Sequence, residues 1–167
     1  MTNLTEATIF SLQLLTSDLT GLPSGNIPQP EFRITKLEEI SKLVGPNSVR
    51  NLIATYDHYL NRILIAEEAL KEIDPLKIES YYIHEYVHYL QYSNNFYSKV
   101  SCIALLEGLA YTTQRAFLEL KGIPPKEIPT YLDWGLEQMY YIHGSEDDLC
   151  GSSPQTKWTP TWKKSLG

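Results

Sequence analysis

The sequence predicts an α+β fold that is mostly helical and contains one small β-hairpin. Apolar residues recur at helical spacing in two long segments, at about 75–93 and 97–121, and residues that begin or end helices flank both segments. Two β-prone runs, Asn51–Tyr56 and Asn61–Ala66, are separated by only a short turn. We therefore expect helices to form most of the domain, with the hairpin packed beside them.

The chain has 167 residues, a length that suits one domain over 1–167. We expect residues 1–30 to form an N-terminal arm and residues 144–167 a C-terminal tail. Within the arm, apolar spacing predicts a short helix over Thr5–Ser17. Residues 21–30 contain five glycines or prolines and predict a loop. A prosegment that covers a functional site would share this composition, but a plain arm is the simpler interpretation.

The next segment predicts a helix followed by the hairpin. Thr35-Lys36-Leu37-Glu38 matches a capping box, which opens a helix, and Gly45-Pro46 would end it. Turn residues at 57–60 join the two β-prone runs, and the second run alternates as expected for a strand with one covered face. Such a hairpin would form one wall of a cleft.

A long helix is predicted to begin at Asp74-Pro75, an N-cap residue followed by proline at the first helical position. It should end near Ser93, before Asn94-Asn95. Apolar residues form one stripe along this helix and would pack in the core. The adjacent stripe, which would face the cleft, contains His84, His88 and Gln91.

A second long helix is predicted over about Tyr97–Lys121, because Gly122 and two prolines follow it. The short connection predicts that the two long helices are antiparallel neighbours. A further helix is predicted from Pro129-Thr130 to about His143, and the tail after it is expected to be extended.

Composition and charge limit the classes of partner. The net charge of −6 and the pI near 5.2 argue against nucleic acid, since the only basic cluster is the short, terminal Lys163-Lys164. No apolar run approaches the roughly 18 residues that span a bilayer, and no basic residue precedes the apolar stretch near the N-terminus. We expect a soluble, intracellular monomer with no membrane partner. Cys102 and Cys150 are expected to be reduced thiols, with a disulfide as the alternative.

The strongest chemical motif is His84-Glu85-Tyr86-Val87-His88, an H-E-x-x-H within the first long helix. The helical pitch places His84 and His88 about 40° apart around the axis and about 6 Å apart along it, so both imidazoles can reach one ion. Glu85 lies on the same side, where it can hold the water that completes a zinc shell and act as general base. We interpret the motif as a zinc site.

Glu107 is a second candidate residue, because it lies in the apolar segment Leu105–Ala110 of the second long helix. A lone buried charge is costly. No lysine or arginine lies three or four positions away to neutralise it. A bound cation would explain its position.

The sequences "HEYVH" and "EGLA" on successive helices resemble the zinc site of the gluzincin metallopeptidases, mainly over residues 51–120. The resemblance implies a zincin-like fold, zinc bound by His84, His88 and Glu107, and Glu85 as the base. It also implies that an extended peptide would add to the edge of the hairpin as a further strand. Metzincins match poorly, since positions 91 and 94 are Gln and Asn.

The sequence departs from the gluzincin pattern at two points. Tyr111 stands one turn after Glu107, where several gluzincins carry a carboxylate that orients a zinc-bound histidine. No downstream motif marks the residue that would stabilise the oxyanion, and Tyr140, Tyr141 and His143 are candidates by residue type only.

The expected activity is zinc-dependent hydrolysis of peptide bonds in a peptide or protein substrate. Two alternatives remain open. One is a catalytically silent zincin-like module that serves binding or regulation. The other is a regulatory protease of the ImmA/IrrE type, which cleaves one dedicated protein partner.

Overall fold

The computed structural model describes residues 4–44, 52–99 and 103–128. These residues form six α-helices, three β-strands and one short 3₁₀-helix, so the predicted mixture of many helices with a small sheet is confirmed. The helices are α1 (Glu6–Thr20), α2 (Leu37–Val44), α3 (Glu67–Glu72), α4 (Pro75–Ser93), α5 (Phe96–Lys99) and α6 (Ile103–Leu120). The strands are β1 (Glu31–Thr35), β2 (Ala54–Asp57) and β3 (Arg62–Ala66), and the 3₁₀-helix is Pro125–Glu127.

The sheet has the strand order β1-β3-β2. Strands β2 and β3 pair antiparallel and form the predicted hairpin, with Tyr56 opposite Ile63. Strand β1 was not predicted, and it pairs in parallel with β3. Because β3 is central, its side chains from Ile63 to Ala66 are buried, whereas most of β1 is exposed or half-buried. Strand β2 therefore forms one edge of the sheet.

Asp57 fixes the turn of the hairpin. One of its carboxylate oxygens accepts hydrogen bonds from the backbone N–H groups of Tyr59 and Leu60, at 3.1 and 3.3 Å. The other oxygen lies 2.9 Å from Nε of Arg62. Asn61 adopts a left-handed backbone with φ of 47°, which asparagine tolerates better than most residues. The turn is thus held by side-chain bonds at its start and its end.

Helix α4 begins and ends where the sequence predicts. The Asp74 carboxylate accepts a 2.9 Å hydrogen bond from the N–H of Leu76, and Pro75 is the first helical residue. Three tyrosines on one face of α4 are almost fully buried and pack ring against ring: Tyr82, Tyr86 and Tyr89. The helix contacts α1, α6 and β2, so it lies at the centre of the domain.

The N-terminal arm is ordered against this tyrosine face. Helix α1 continues to Thr20, three residues beyond the predicted end, and Gly21 ends it in a left-handed conformation. The loop over 21–30 then crosses α4: Tyr89 donates to the carbonyl of Ile27 at 3.1 Å, and Tyr86 donates to Oε1 of Gln29 at 2.8 Å. The loop is therefore part of the packed domain.

Several elements differ from prediction. The second long helix is predicted over 97–121; α5 reaches Lys99 and α6 begins at Ile103, and the three positions between them lie outside the described residues. Helix α3 was not predicted. The capping box predicted at Thr35 is not formed. The Thr35 hydroxyl instead donates to the carboxylate of Glu39. The N–H of Leu37, at the start of α2, donates to the carboxylate of Glu68. Helix α6 ends before Gly122, which has φ of 81°, as its sequence indicates.

Some predictions concern residues outside the described part of the chain. They are the helix over 129–143, the tail from 144, and the pairing of Cys102 and Cys150. Within the described ranges, every helix is too short or too polar to span a lipid bilayer.

Candidate metal centre

His84 and His88 lie one turn apart on α4 and point to the same place. Their Nε2 atoms are 3.2 Å apart, and each residue is only 8% exposed. Both imidazoles therefore present the same nitrogen to one point in the interior, as the helical spacing predicts.

Glu107 on α6 completes the cluster. Its Oε2 lies 3.3 Å from Nε2 of His84, and its Oε1 lies 3.3 Å from Nε2 of His88. The antiparallel packing of α4 against α6 brings the carboxylate to the histidines, although it is 19 positions away in the sequence. This cluster, His84, His88 and Glu107, could hold a metal ion.

The spacing of the cluster fits a small tetrahedral ion. Ligand atoms 2.0–2.1 Å from a tetrahedral zinc ion lie about 3.3 Å from one another. The two Nε2 atoms are 3.2 Å apart, and each lies 3.3 Å from a different oxygen of the Glu107 carboxylate. Two imidazoles and a carboxylate are also a donor set that zinc commonly accepts, with one position left for water. The residues present therefore suit such an ion in both distance and chemistry.

The charges within the cluster are strongly coupled. Burial alone would lower the pKa of His88, but the charge of Glu107 and the hydrogen bond to it outweigh burial and raise the pKa to about 9. Burial would raise the pKa of Glu107, but the two imidazoles hold it well below its usual range. In the protein without a metal, a proton on His88 thus provides a positive charge beside Glu107. A cation would take over that role.

Gln91, one turn beyond His88, contacts the other side of that imidazole. Its Oε1 lies 3.0 Å from Nδ1 of His88, and its Nε2 donates a 2.8 Å hydrogen bond to the backbone carbonyl of Leu106. Gln91 is completely buried. The sequence placed it on the histidine stripe but gave no indication of its partners.

Glu85 lies beside the cluster and is bound by the edge of the sheet. Its Oε2 accepts a 2.8 Å hydrogen bond from the backbone N–H of Tyr56 in β2, and the residue is 8% exposed. Because Ala66 donates to the carbonyl of Ile53, the alternating ladder leaves the N–H of Tyr56 pointing away from β3. The carboxylate therefore lies between the cluster of His84, His88 and Glu107 and the outer edge of β2, which pairs with no further strand among the described residues.

The ring of Tyr111 borders the cluster, and the half-exposed Tyr97 lies within the field of the cluster's carboxylates. Burial and then the charges of Glu107 and Glu85 raise the pKa values of both Tyr97 and Tyr111 to about 12, so both phenols stay protonated and lie within the field of these carboxylates. The ring of Tyr111 packs edge-on to His84, with 4.6 Å between centroids. The sequence identified Tyr111 only as a departure from a pattern and did not identify Tyr97.

The remaining sequence candidates are His58, Tyr140, Tyr141 and His143. Tyr140, Tyr141 and His143 lie outside the described residues. His58, expected to be a turn residue, lies in the hairpin turn and packs against Tyr59 and Tyr92. The structure thus brings together His84, Glu85, His88 and Glu107.

Comparison of the chain with known protein families, with curated proteins and with solved structures found no match in any of the three.

Proposed function

We propose that this protein is a zinc-dependent peptidase that hydrolyses peptide bonds with Glu85 as the general base. The observation that carries this proposal is the position of the Glu85 carboxylate between the His84, His88 and Glu107 cluster and the outer edge of β2. One small region thus contains three possible zinc ligands, a carboxylate that can act as base, and the edge of β2, which could pair with an extended peptide.

His84, His88 and Glu107 would hold the zinc ion. When bound, zinc would supply a Lewis acid that polarises a carbonyl and makes water acidic enough to react near neutral pH. All three side chains come from two packed helices, α4 and α6.

Glu85 would accept the proton of the attacking water on its carboxylate and then deliver it to the leaving amine. The N–H of Tyr56 donates to one of its oxygens at 2.8 Å, which leaves the other oxygen for the proton transfer. Tyr111, whose ring packs edge-on to His84, is a candidate among the described residues to donate a hydrogen bond to the substrate oxygen.

Metal analysis of the purified protein tests the ligand assignment. One zinc ion per chain is expected in the wild type, and less than a tenth of that in His84→Ala, His88→Ala and Glu107→Ala. His58→Ala is the matched control, since this histidine lies in the hairpin turn and should retain full zinc. Stoichiometric zinc in all three ligand variants would overturn the assignment.

Cleavage assays test the activity itself. Casein, quenched peptides and amino-acid amides should be offered to the zinc-loaded protein. Hydrolysis that depends on Glu85 supports the peptidase. A protein that binds zinc in the cluster and cleaves none of these substrates would instead be a metal-binding module or would require one dedicated protein target.

A further inference from the structure

We propose that Gln91 is a positioning residue, which sets the tautomer of His88 and at the same time fixes the helix that carries Glu107 relative to α4. The observation is one fully buried amide that bonds to His88 on one side and to the backbone of α6 on the other. This inference rests on the metal site of the proposed function but not on peptidase activity.

The orientation of the Gln91 amide follows from its second partner. The carbonyl oxygen of Leu106 can only accept a hydrogen bond, so the amide nitrogen of Gln91 must face it, at 2.8 Å. The amide oxygen must then face His88, at 3.0 Å from Nδ1. Both ends of the amide are assigned by the chemistry of their partners.

The tautomer of His88 follows from that orientation. An amide oxygen can only accept a hydrogen bond, so Nδ1 of His88 must carry a proton. In the neutral imidazole the lone pair is therefore on Nε2, which is the atom that faces His84 and Glu107. When His88 gives up its second proton, as metal binding requires, Gln91 thus keeps the remaining proton on Nδ1 and leaves the Nε2 lone pair free to bind a metal at the cluster.

The second bond of Gln91 acts on Glu107. Leu106 directly precedes Glu107 in α6, so the bond to its carbonyl fixes the backbone next to the third ligand. An aspartate or glutamate at position 91 could accept from His88 but could not donate to Leu106. It would also add a negative charge beside Glu107 and Glu85. The amide is therefore the side chain that meets both requirements without adding charge.

The test compares Gln91→Met with Gln114→Met. Gln114 is a matched control, because it is equally buried and its amide also joins α6 to α4, through a 3.0 Å bond to the hydroxyl of Ser80. Zinc affinity is measured by competition with a chromophoric chelator. We expect Gln91→Met to bind zinc about 10- to 100-fold more weakly than wild type, the range typical of lost partners of metal-binding histidines. We expect Gln114→Met to remain within about threefold.

A second readout separates positioning from general packing. In the zinc-loaded wild type, the Nδ1 proton of His88 is buried and hydrogen-bonded, so it should give a slowly exchanging imidazole N–H signal in nitrogen-15 NMR. That signal should disappear or exchange rapidly in Gln91→Met and persist in Gln114→Met. Gln91→Glu keeps the acceptor and should retain the signal while losing the bond to Leu106.

The outcomes distinguish this inference from the proposed function. Zinc affinity and a His88 signal unchanged in Gln91→Met would overturn the inference, as would an equal loss of affinity in Gln114→Met. The proposed peptidase would be unaffected by either result. A wild type that binds zinc and cleaves no peptide would contradict the peptidase, and a selective loss of affinity in Gln91→Met would then still support the inference.

Discussion

The carboxylate of Glu85 is bound by the backbone N–H of Tyr56, at 2.8 Å, across the gap between α4 and the edge of the sheet. A backbone donor cannot rotate away as a side chain can, so its direction is set by the strand. The contact joins the motif in α4 to the hairpin, two parts of the sequence 29 positions apart. Its role can be tested without changing Glu85 itself.

Tyr56→Pro removes this N–H, and Tyr56→Ala is its matched control because both lose the phenol ring. Proline is tolerated on an edge strand where the N–H faces away from the ladder. A hydrogen bond to a charged group contributes roughly 1.5 to 3 kcal/mol, so the proline variant should turn over peptide about 10- to 100-fold more slowly than the alanine variant. Equal zinc content confirms an intact cluster. Equal turnover in the two variants would show that the N–H does not orient the base.

Glu85→Gln should retain zinc and lose activity. The amide has nearly the same shape, but it cannot accept the proton of water, and general-base catalysis contributes about 10²- to 10⁴-fold. Metal analysis and peptide cleavage are measured on the same preparation. Glu79→Gln, at a half-buried position nearer the start of the same helix, is the control and should behave as wild type. Full activity in Glu85→Gln would assign the base to another residue.

The metal-free protein should lose stability as the pH rises through about 9. The folded pKa of His88 is raised above its ordinary value, so its contribution is fully present below pH 6.5 and is lost as the pH rises through the folded pKa of about 9. Denaturation by urea at pH 6 and pH 9.5 should differ by on the order of 2 kcal/mol in wild type, and by less in His88→Gln. An equal change in the free energy of unfolding between pH 6 and pH 9.5 in both proteins would contradict the pairing of His88 with Glu107.

Gly25→Ala should destabilise the fold without affecting the cluster of His84, His88 and Glu107. A Cβ atom at this position would lie 2.4 to 2.5 Å from the side chain and the backbone carbonyl of Ser93, so the loop or the end of α4 must shift. Such overpacking costs about 1 to 3 kcal/mol, measured as the free energy of unfolding. Ser24→Ala, at an exposed neighbouring position, should change stability little. Unaltered stability of Gly25→Ala would mean that the loop does not pack closely on α4.

The sequence predicts the candidate site well because its determinants are local. The bounds of α4 follow from Asp74, Pro75 and Asn94, and helical spacing alone brings His84 and His88 together. Glu107 was identified because an unpaired carboxylate in an apolar segment requires a partner. The antiparallel return of α6 then follows from the short connection, and no detailed knowledge of the core is needed.

The elements that the sequence does not predict depend on contacts between distant residues. Strand β1 is mostly exposed, so it lacks a strong apolar pattern, and its partner β3 lies about 30 positions later. The bond from Gln91 to Leu106 and the positions of Tyr97 and Tyr111 depend on how α4, α5 and α6 pack. The bond from Tyr56 to Glu85 depends on the sheet edge reaching α4. Spacing along one element carries no information about such contacts.

The two faces of α4 have partners at very different distances in the sequence. His84 and Tyr86 lie about 160° apart around the helix axis. The face with the histidines meets Glu107 about 20 positions away, whereas Tyr86 and Tyr89 bond to loop residues 57 and 62 positions earlier. The histidine face of α4 is therefore built from contacts between residues close in the sequence, and the tyrosine face from contacts between distant residues.

This difference in sequence separation affects the order in which the parts of the protein can fold. A fragment over 75–120 would contain all three ligands, yet it would leave the tyrosine face of α4 exposed to water. Zinc alone should not fold it. During synthesis the arm leaves the ribosome before α4, so we expect the cluster of His84, His88 and Glu107 to take its folded arrangement only once the arm packs against the tyrosine face of α4.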